Sequence, residues 1–178
     1  DMVSPDKIEA QVRSKVKEIG YEQDGFHWEK ISIHNYLHKQ SKDIAIGVDE
    51  KEDKAQGAGD QGMMFGYACN ETNNLMPAPI EFSHKILKSL ANYRHSNNTF
   101  FGPDSKSQVS VKYENNKPVG ISSIVVSTQH SEKAKNDEIK SKVIEIVREA
   151  LPEKWLPDDG SFLINPTGRF VIGGPDGD

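Results

Sequence analysis

The dipeptide Asn115-Asn116 lies between a run that alternates apolar with polar residues, Val109, Val111 and Tyr113, and a second apolar-rich run over residues 121–126. Strand side chains point to opposite faces with a period of two, and Asn tolerates tight-turn backbone, so this stretch predicts an antiparallel hairpin. A helical pattern flanks it on each side. Pro77-Ala78-Pro79 opens a helix that carries Ile80, His84, Leu87, Leu90 and Ala91 on one stripe and ends near Arg94. Ile139, Val143, Ile146 and Val147 mark a second helix, which stops before Pro152, and two short strands over 162–164 and 170–172 follow. A hairpin between two amphipathic helices buries its apolar face against them. The expected fold is therefore α+β, a mixed or antiparallel sheet covered on one face by helices, rather than a doubly wound parallel sheet.

The preceding residues are less regular. Ser4 suits a helix cap, Pro5 the first helical position and Asp6 the positive end, and Ile8, Val12, Val16 and Ile19 recur at helical spacing until Gly20. Residues 31–37 alternate as a half-buried strand does, and residues 63–68 form a short apolar run suited to a buried strand. Between them, from Lys39 to Asp60, the pattern lapses into charge and glycine. An aperiodic stretch of that length predicts a functional lid or a linker, and it marks a domain boundary.

Composition removes several classes of function. Lys and Arg total 22 against 27 Asp and Glu, giving a net charge of -5, the wrong sign for a broad nucleic-acid face. The one cysteine, Cys69, forms no internal disulfide, has no neighbours at zinc-ligand spacing, and reads as packing in an apolar strand. No apolar run approaches the roughly 20 residues of a membrane span. The N-terminus has no basic stretch followed by an apolar one. These features predict a cytoplasmic chain with neither nucleic acid nor membrane as a partner.

Three segments carry chemistry. Gly57-Ala58-Gly59-Asp60-Gln61-Gly62 surrounds an acid with glycines, which presents Asp60 to a substrate or hydrated cation, or makes a tight turn before a strand. Pro103-Asp104-Ser105-Lys106-Ser107 places Asp104 and Lys106 two apart, so both project to one side of a strand. Lys106 there can neutralise phosphate oxygens, and Asp104 can accept from ribose hydroxyls or sit near magnesium; a solvated ion pair fits the same spacing. Asn165-Pro166-Thr167-Gly168-Arg169-Phe170 sets a guanidinium beside an aromatic ring after a glycine turn, a means of stacking adenine, with an ordinary core Phe as the alternative. The glycine cluster after it lacks the Gly-Lys-Ser/Thr ending of a phosphate loop, and no helix follows. His130 and Glu132 have no nucleophile nearby in sequence, and His130 reads as a strand-end residue satisfying local hydrogen bonds.

Together these segments resemble methionine adenosyltransferase, the S-adenosylmethionine synthetase family. The run from Gly57 to Ala68 is similar to the family signature, and Asn70-Glu71-Thr72, Leu75-Met76-Pro77, the segments around Lys106, His130 and Phe170, and Gly173-Gly174-Pro175 follow in the family's order. The resemblance implies that methionine sulfur attacks the 5′ carbon of ATP, releasing tripolyphosphate that is then hydrolysed to phosphate and diphosphate. It implies Mg2+ and K+ as cofactors, with their ligands mostly outside this chain, and ATP and L-methionine as substrates. It also implies a homodimer, or a tetramer, with the site at the subunit interface. By matched position, Lys106 and Asp60 are catalytic; Asp104, Ser105, Lys106, Arg169, Phe170 and Asp178 bind ATP; and Gln40 and Asp178 bind methionine, with a mobile gate from Gln40 to about Glu50.

The same resemblance implies three similar domains in a chain roughly twice this long. Residues 1–50 then end an N-terminal domain, 51–173 form the central domain and 174–178 begin a C-terminal one. Ser4-Pro5-Asp6-Lys7 imitates the family's opening His-Pro-Asp-Lys motif, but the helix after it matches a later family helix. An Arg-Lys pair and a Gly-rich segment of the family have no counterpart here. This species alone is therefore expected to be inactive. A truncated, non-catalytic nucleotide-binding or dimerisation module and an unrelated nucleotide-binding regulator are the competing readings.

Overall fold

The computed structural model describes residues 3–50, 52–53, 55–57, 62–96 and 99–177. Its elements run α1 (Pro5–Ile19), α2 (Lys42–Val48), α3 (Ala78–Ser96), β1 (Phe101–Glu114), β2 (Lys117–His130), α4 (Asn136–Ala150) and β3 (Phe162–Ile164), with three short 3-10 turns. The sheet has the order β1-β2-β3, with β1 and β2 antiparallel and β2 and β3 parallel. The α+β expectation, with helices on one face of a mixed sheet, holds.

The hairpin turns on Asn115 and Asn116, whose φ angles of 50° and 59° are the left-handed pair that a two-residue loop between right-twisted strands requires. One face of the sheet receives α3 and α4. Ile86, Ile124, Ile139, Val126, Val143 and Val147 are fully buried there, and Phe82, Leu90, Phe101, Val109 and Phe162 close the core around them. The buried row of α3 is Ala78, Phe82, Ile86 and Leu90; of the expected stripe Leu90 is buried and Leu87 packs against the core, while Phe82 and Ile86 take the inward places expected of Ile80 and His84. Ile80 and His84 face out. Both rows carry apolar residues, and the larger Phe82 and Ile86 face the sheet.

The termini of α1 follow their local signals. Ser4 Oγ accepts from the Lys7 N–H, and Gly20, at φ 101°, ends the helix in the left-handed region. Elsewhere before Ala78 the sequence expectations need correction. Residues 31–37 and 62–68 form no strand, and the supposed aperiodic lid contains α2, whose Ser41 cap accepts from the Ile44 N–H. Met63, Met64, Phe65 and Tyr67 are exposed, so the expected buried strand has no sheet to join among the described residues, and Cys69 sits in a loop. Residues 170–172 are likewise not a strand. Phe170 nevertheless exchanges hydrogen bonds with His130 at the end of β2.

Candidate functional site

Alternation along β1 divides its side chains between two environments. Ser105 faces the helices, where its hydroxyl shares a 2.8 Å hydrogen bond with Thr128 Oγ1. Asp104 and Lys106 point the opposite way, beside Ser127 of β2, into a pocket of ≈ 280 Å³ on the sheet's open face. Arg169 and Phe170 line the same pocket, and Lys106 Nζ lies 5.9 Å from the Phe170 ring centroid, within cation–π reach.

The turn that delivers Phe170 is built on Asn165. It is buried and holds φ 42°, a conformation Asn adopts more readily than most residues. Its Oδ1 accepts from the Thr128 N–H at 2.7 Å and its Nδ2 donates to the Thr128 carbonyl at 3.1 Å. The side-chain amide thus continues the parallel ladder one step beyond β3. Gly168, at φ 86°, then donates its N–H to the Asn165 carbonyl and reverses the chain. His130 fixes the result. Its N–H donates to the Phe170 carbonyl, its Nε2 accepts from the Phe170 N–H, and its Nδ1 donates to the Ser131 carbonyl, an arrangement that requires a neutral ring protonated on Nδ1. The local role expected of His130 is correct, and what it holds is the aromatic wall of the pocket.

Asp104 is held from two directions. Its Oδ2 accepts from the Gly174 N–H at 2.9 Å, and its own N–H donates to Gln129 Oε1 at 3.2 Å. A register irregularity between Phe101 and Ser105 frees that N–H from the β1–β2 ladder. Arg169 donates to Glu132 Oε1 at 2.7 Å, with both side chains largely exposed. An exposed pair of this kind contributes about 1 kcal/mol or less, so Glu132 ties Arg169 down only weakly.

The comparisons with known proteins bear on what this pocket belongs to. The family model for the S-adenosylmethionine synthetase central domain matches residues 55–170. The chain belongs to the S-adenosylmethionine synthetase family. It is 56% identical over 178 residues to S-adenosylmethionine synthase 2 of Rhodospirillum rubrum, covering 100% of this chain and 46% of that protein. It is 59% identical over 167 residues to the S-adenosylmethionine synthase of Paramagnetospirillum magneticum, covering 93% of this chain and 43% of the relative. Among solved structures, an unusual S-adenosylmethionine synthetase from Campylobacter jejuni superposes with a TM-score of 0.79 at 28% identity, over 100% of this chain and 47% of that one. The chain spans about half the length of the relatives it matches.

Of the residues singled out from the family resemblance, Asp104, Lys106, Arg169 and Phe170 come together in one pocket. Ser105 does not join them, because its side chain lies on the other face of the sheet. Gln40 is exposed and lines a separate groove of ≈ 1020 Å³ between α1 and α2, with Ile8, Val12, Leu37 and Ala45. Asp60 and Asp178 lie outside the described residues. Among the described residues no three His, Cys, Asp or Glu side chains converge on a metal position. Asp104 is the pocket's described carboxylate and already accepts from Gly174, so these residues do not by themselves form a Mg2+ or K+ cage. Among the described residues no helix is long and apolar enough to cross a membrane.

Sequence reasoning missed Gln129, Asn165 and Gln23. A Gln next to a His at the end of an apolar strand was the available signal for Gln129, since a buried amide requires partners for every donor and acceptor. The partners themselves come from residues about 25 to 106 positions away, which no local pattern displays.

Proposed function

We propose that this chain contributes the nucleoside and phosphate half of an S-adenosylmethionine synthetase site, in a protein that joins ATP to L-methionine. The observation that carries the reading is the convergence of Asp104, Lys106, Arg169 and Phe170 on one pocket, with the Lys106 ammonium over the edge of the Phe170 wall. A ring that stacks a purine, a carboxylate that accepts from ribose hydroxyls and an ammonium that meets phosphate oxygens all line it.

In the proposed reaction a sulfur lone pair of methionine forms a bond to C5′ of ATP while the C5′–O bond breaks. The electron pair leaves on tripolyphosphate, which water then splits into phosphate and diphosphate. The protein's contribution is alignment of sulfur with the leaving oxygen and neutralisation of charge that grows on the polyphosphate. Lys106 supplies part of that neutralisation. Mg2+ and K+, held mainly by residues outside this chain, would supply the rest. Gln40 and Asp178 contact methionine, Asp178 also meets ATP, and Asp60 assists at the phosphates. Residues 1–50 close an N-terminal domain, 51–173 make the central one and 174–178 start the next. The working assembly is a cytoplasmic homodimer, or a tetramer, with its site between subunits.

The test compares a full-length polypeptide carrying this sequence with the 178-residue chain. The full-length protein makes S-adenosylmethionine and Lys106→Ala slows it by about 100-fold, while the 178-residue chain alone makes none. Turnover by the short chain, or an unaffected Lys106→Ala enzyme, contradicts the reading.

A further inference from the structure

Behind Asp104 lies a closed circuit of hydrogen bonds that joins three separate parts of the chain. Gln129, buried at the end of β2, uses its whole side-chain amide: Oε1 accepts from the Asp104 N–H at 3.2 Å, and Nε2 donates to Gln23 Oε1 at 2.8 Å and to the Val171 carbonyl at 2.9 Å. Gln23 belongs to the loop after α1, and its Nε2 donates to the Gly173 carbonyl at 2.7 Å. The next residue, Gly174, returns an N–H to Asp104 Oδ2 at 2.9 Å. The circuit therefore runs from the backbone of Asp104 through two amides and one turn to the carboxylate of Asp104.

The space for this circuit is reserved by glycine. A Cβ at Gly102 would stand 2.6 Å from Gln129 Cδ, and one at Gly173 would stand 2.8 Å from Asp104 Cβ and 2.9 Å from Gln129 Cδ. Gly174 has φ 67°, and a Cβ there would fall 2.4 Å from the Tyr21 ring, which packs edge-on against Phe26 in the same loop as Gln23. The loop after α1, the strand pair and the 171–174 turn are thus fitted to one another around the two amides.

We propose that Gln23 and Gln129 are a positioning pair that sets the direction of the Asp104 carboxylate. The docking of the loop after α1 is thereby coupled to nucleotide affinity. Neither Gln lines the pocket, and both act through Asp104. The inference rests on the proposed nucleotide reading of the pocket. It assigns a role to residues outside the pocket, one of them in a segment distant in sequence.

The experiment measures steady-state kinetics of the full-length enzyme with Gln129→Met, Gln23→Met, both together, and Asp104→Asn. Met keeps the length of Gln and removes its hydrogen bonds. Gln129→Met is expected to raise KM for ATP about 10-fold with kcat within about 2-fold and KM for methionine unchanged. Gln23→Met, which breaks only the outer half of the circuit, raises the same constant about 3-fold. Because both act through one circuit, the double variant matches Gln129→Met alone rather than the product of the two.

An unchanged KM for ATP with only a lower kcat or a lower Tm overturns the proposal, as does a multiplicative double variant. If Gln129→Met fails to fold, the milder Gln23→Met decides the matter by the same criterion. Asp104→Asn separates the two levels: if it raises KM for ATP while the Gln variants do not, the positioning pair alone fails. If it leaves KM for ATP untouched, the nucleotide reading fails and takes the pair with it.

Discussion

Residues 3–77 and 78–177 both carry regularly spaced apolar side chains, but only the second region buries them. Among the described residues every buried hydrophobic side chain lies at or beyond Ala78, while most of the exposed large hydrophobics, from Val3 to Leu75, lie before it. The helix α1 has a serine cap, proline at its start, a left-handed glycine at its end and a clear apolar stripe, yet none of its residues is buried. The contrast separates two causes of structure. Caps and periodicity are enough to specify a helix, whereas burial needs a facing surface, and for α3 and α4 the hairpin provides one.

The sharpest way to break this comparison is to truncate one residue from each region. Ile124 is 0% exposed between the helices and the sheet, and Ile124→Ala should cost the 178-residue chain about 3 to 4 kcal/mol in denaturant unfolding. Met64 is 95% exposed, and Met64→Ala should change the same measurement by no more than about 0.5 kcal/mol. Comparable losses at the two sites would mean that the first region possesses a core of its own.

A smaller effect tests whether the pocket belongs wholly to the packed region. Asn165→Ala leaves the buried N–H and carbonyl of Thr128 without their partners, and removes a residue suited to φ 42°. The expected loss is about 2 to 3 kcal/mol in the same unfolding experiment. It should be accompanied by faster hydrogen exchange at Phe170, whose position depends on that turn. A stability loss with unchanged exchange at Phe170 would show that His130 alone suffices to hold the ring.

What could be read from the sequence divides along the same line. The hairpin, α3, α4 and β3 were legible because each combines a local period with a neighbour that rewards it, and Asn115-Asn116 fixes the register between β1 and β2. Asp104 and Lys106 were legible as a same-face pair from spacing alone. The strand readings at 31–37 and 63–68 failed because alternation and apolarity describe what a segment offers to a sheet, and no strand accepts the offer among the described residues. The row of α3 that turns inward was ambiguous, because Ile80 and Phe82 are both apolar and only packing chooses between them. Gln129 and Asn165 stayed hidden for a different reason: their meaning lies in the backbone groups that they satisfy, brought near by folding.

The seam between the two regions supplies the smallest and most specific prediction. Tyr113, near the end of β1, donates its hydroxyl to Glu71 Oε2 at 2.7 Å, and the same carboxylate oxygen accepts from the Ala78 N–H at the start of α3. Partial burial first, and then the Glu71 carboxylate beside it, push the Tyr113 phenol up from about 10 to about 12. The folded state thus prefers the neutral phenol, so its contribution is fully present below pH 10 and fades as the pH rises toward about 12. Tyrosinate absorbance should show Tyr113 titrating late. Over the same window, exchange of the Cys69 amide, which is bonded to the Leu75 carbonyl within the tethered loop, should accelerate beyond the intrinsic rise with pH. Tyr113→Phe should remove both signals while lowering stability by about 1 kcal/mol or less, since the hydroxyl is at the surface. If the amide of Cys69 keeps its extra acceleration in Tyr113→Phe, the loop from Cys69 to Leu75 is tethered through the α3 terminus and Glu71 alone, and the hairpin merely lies beside it.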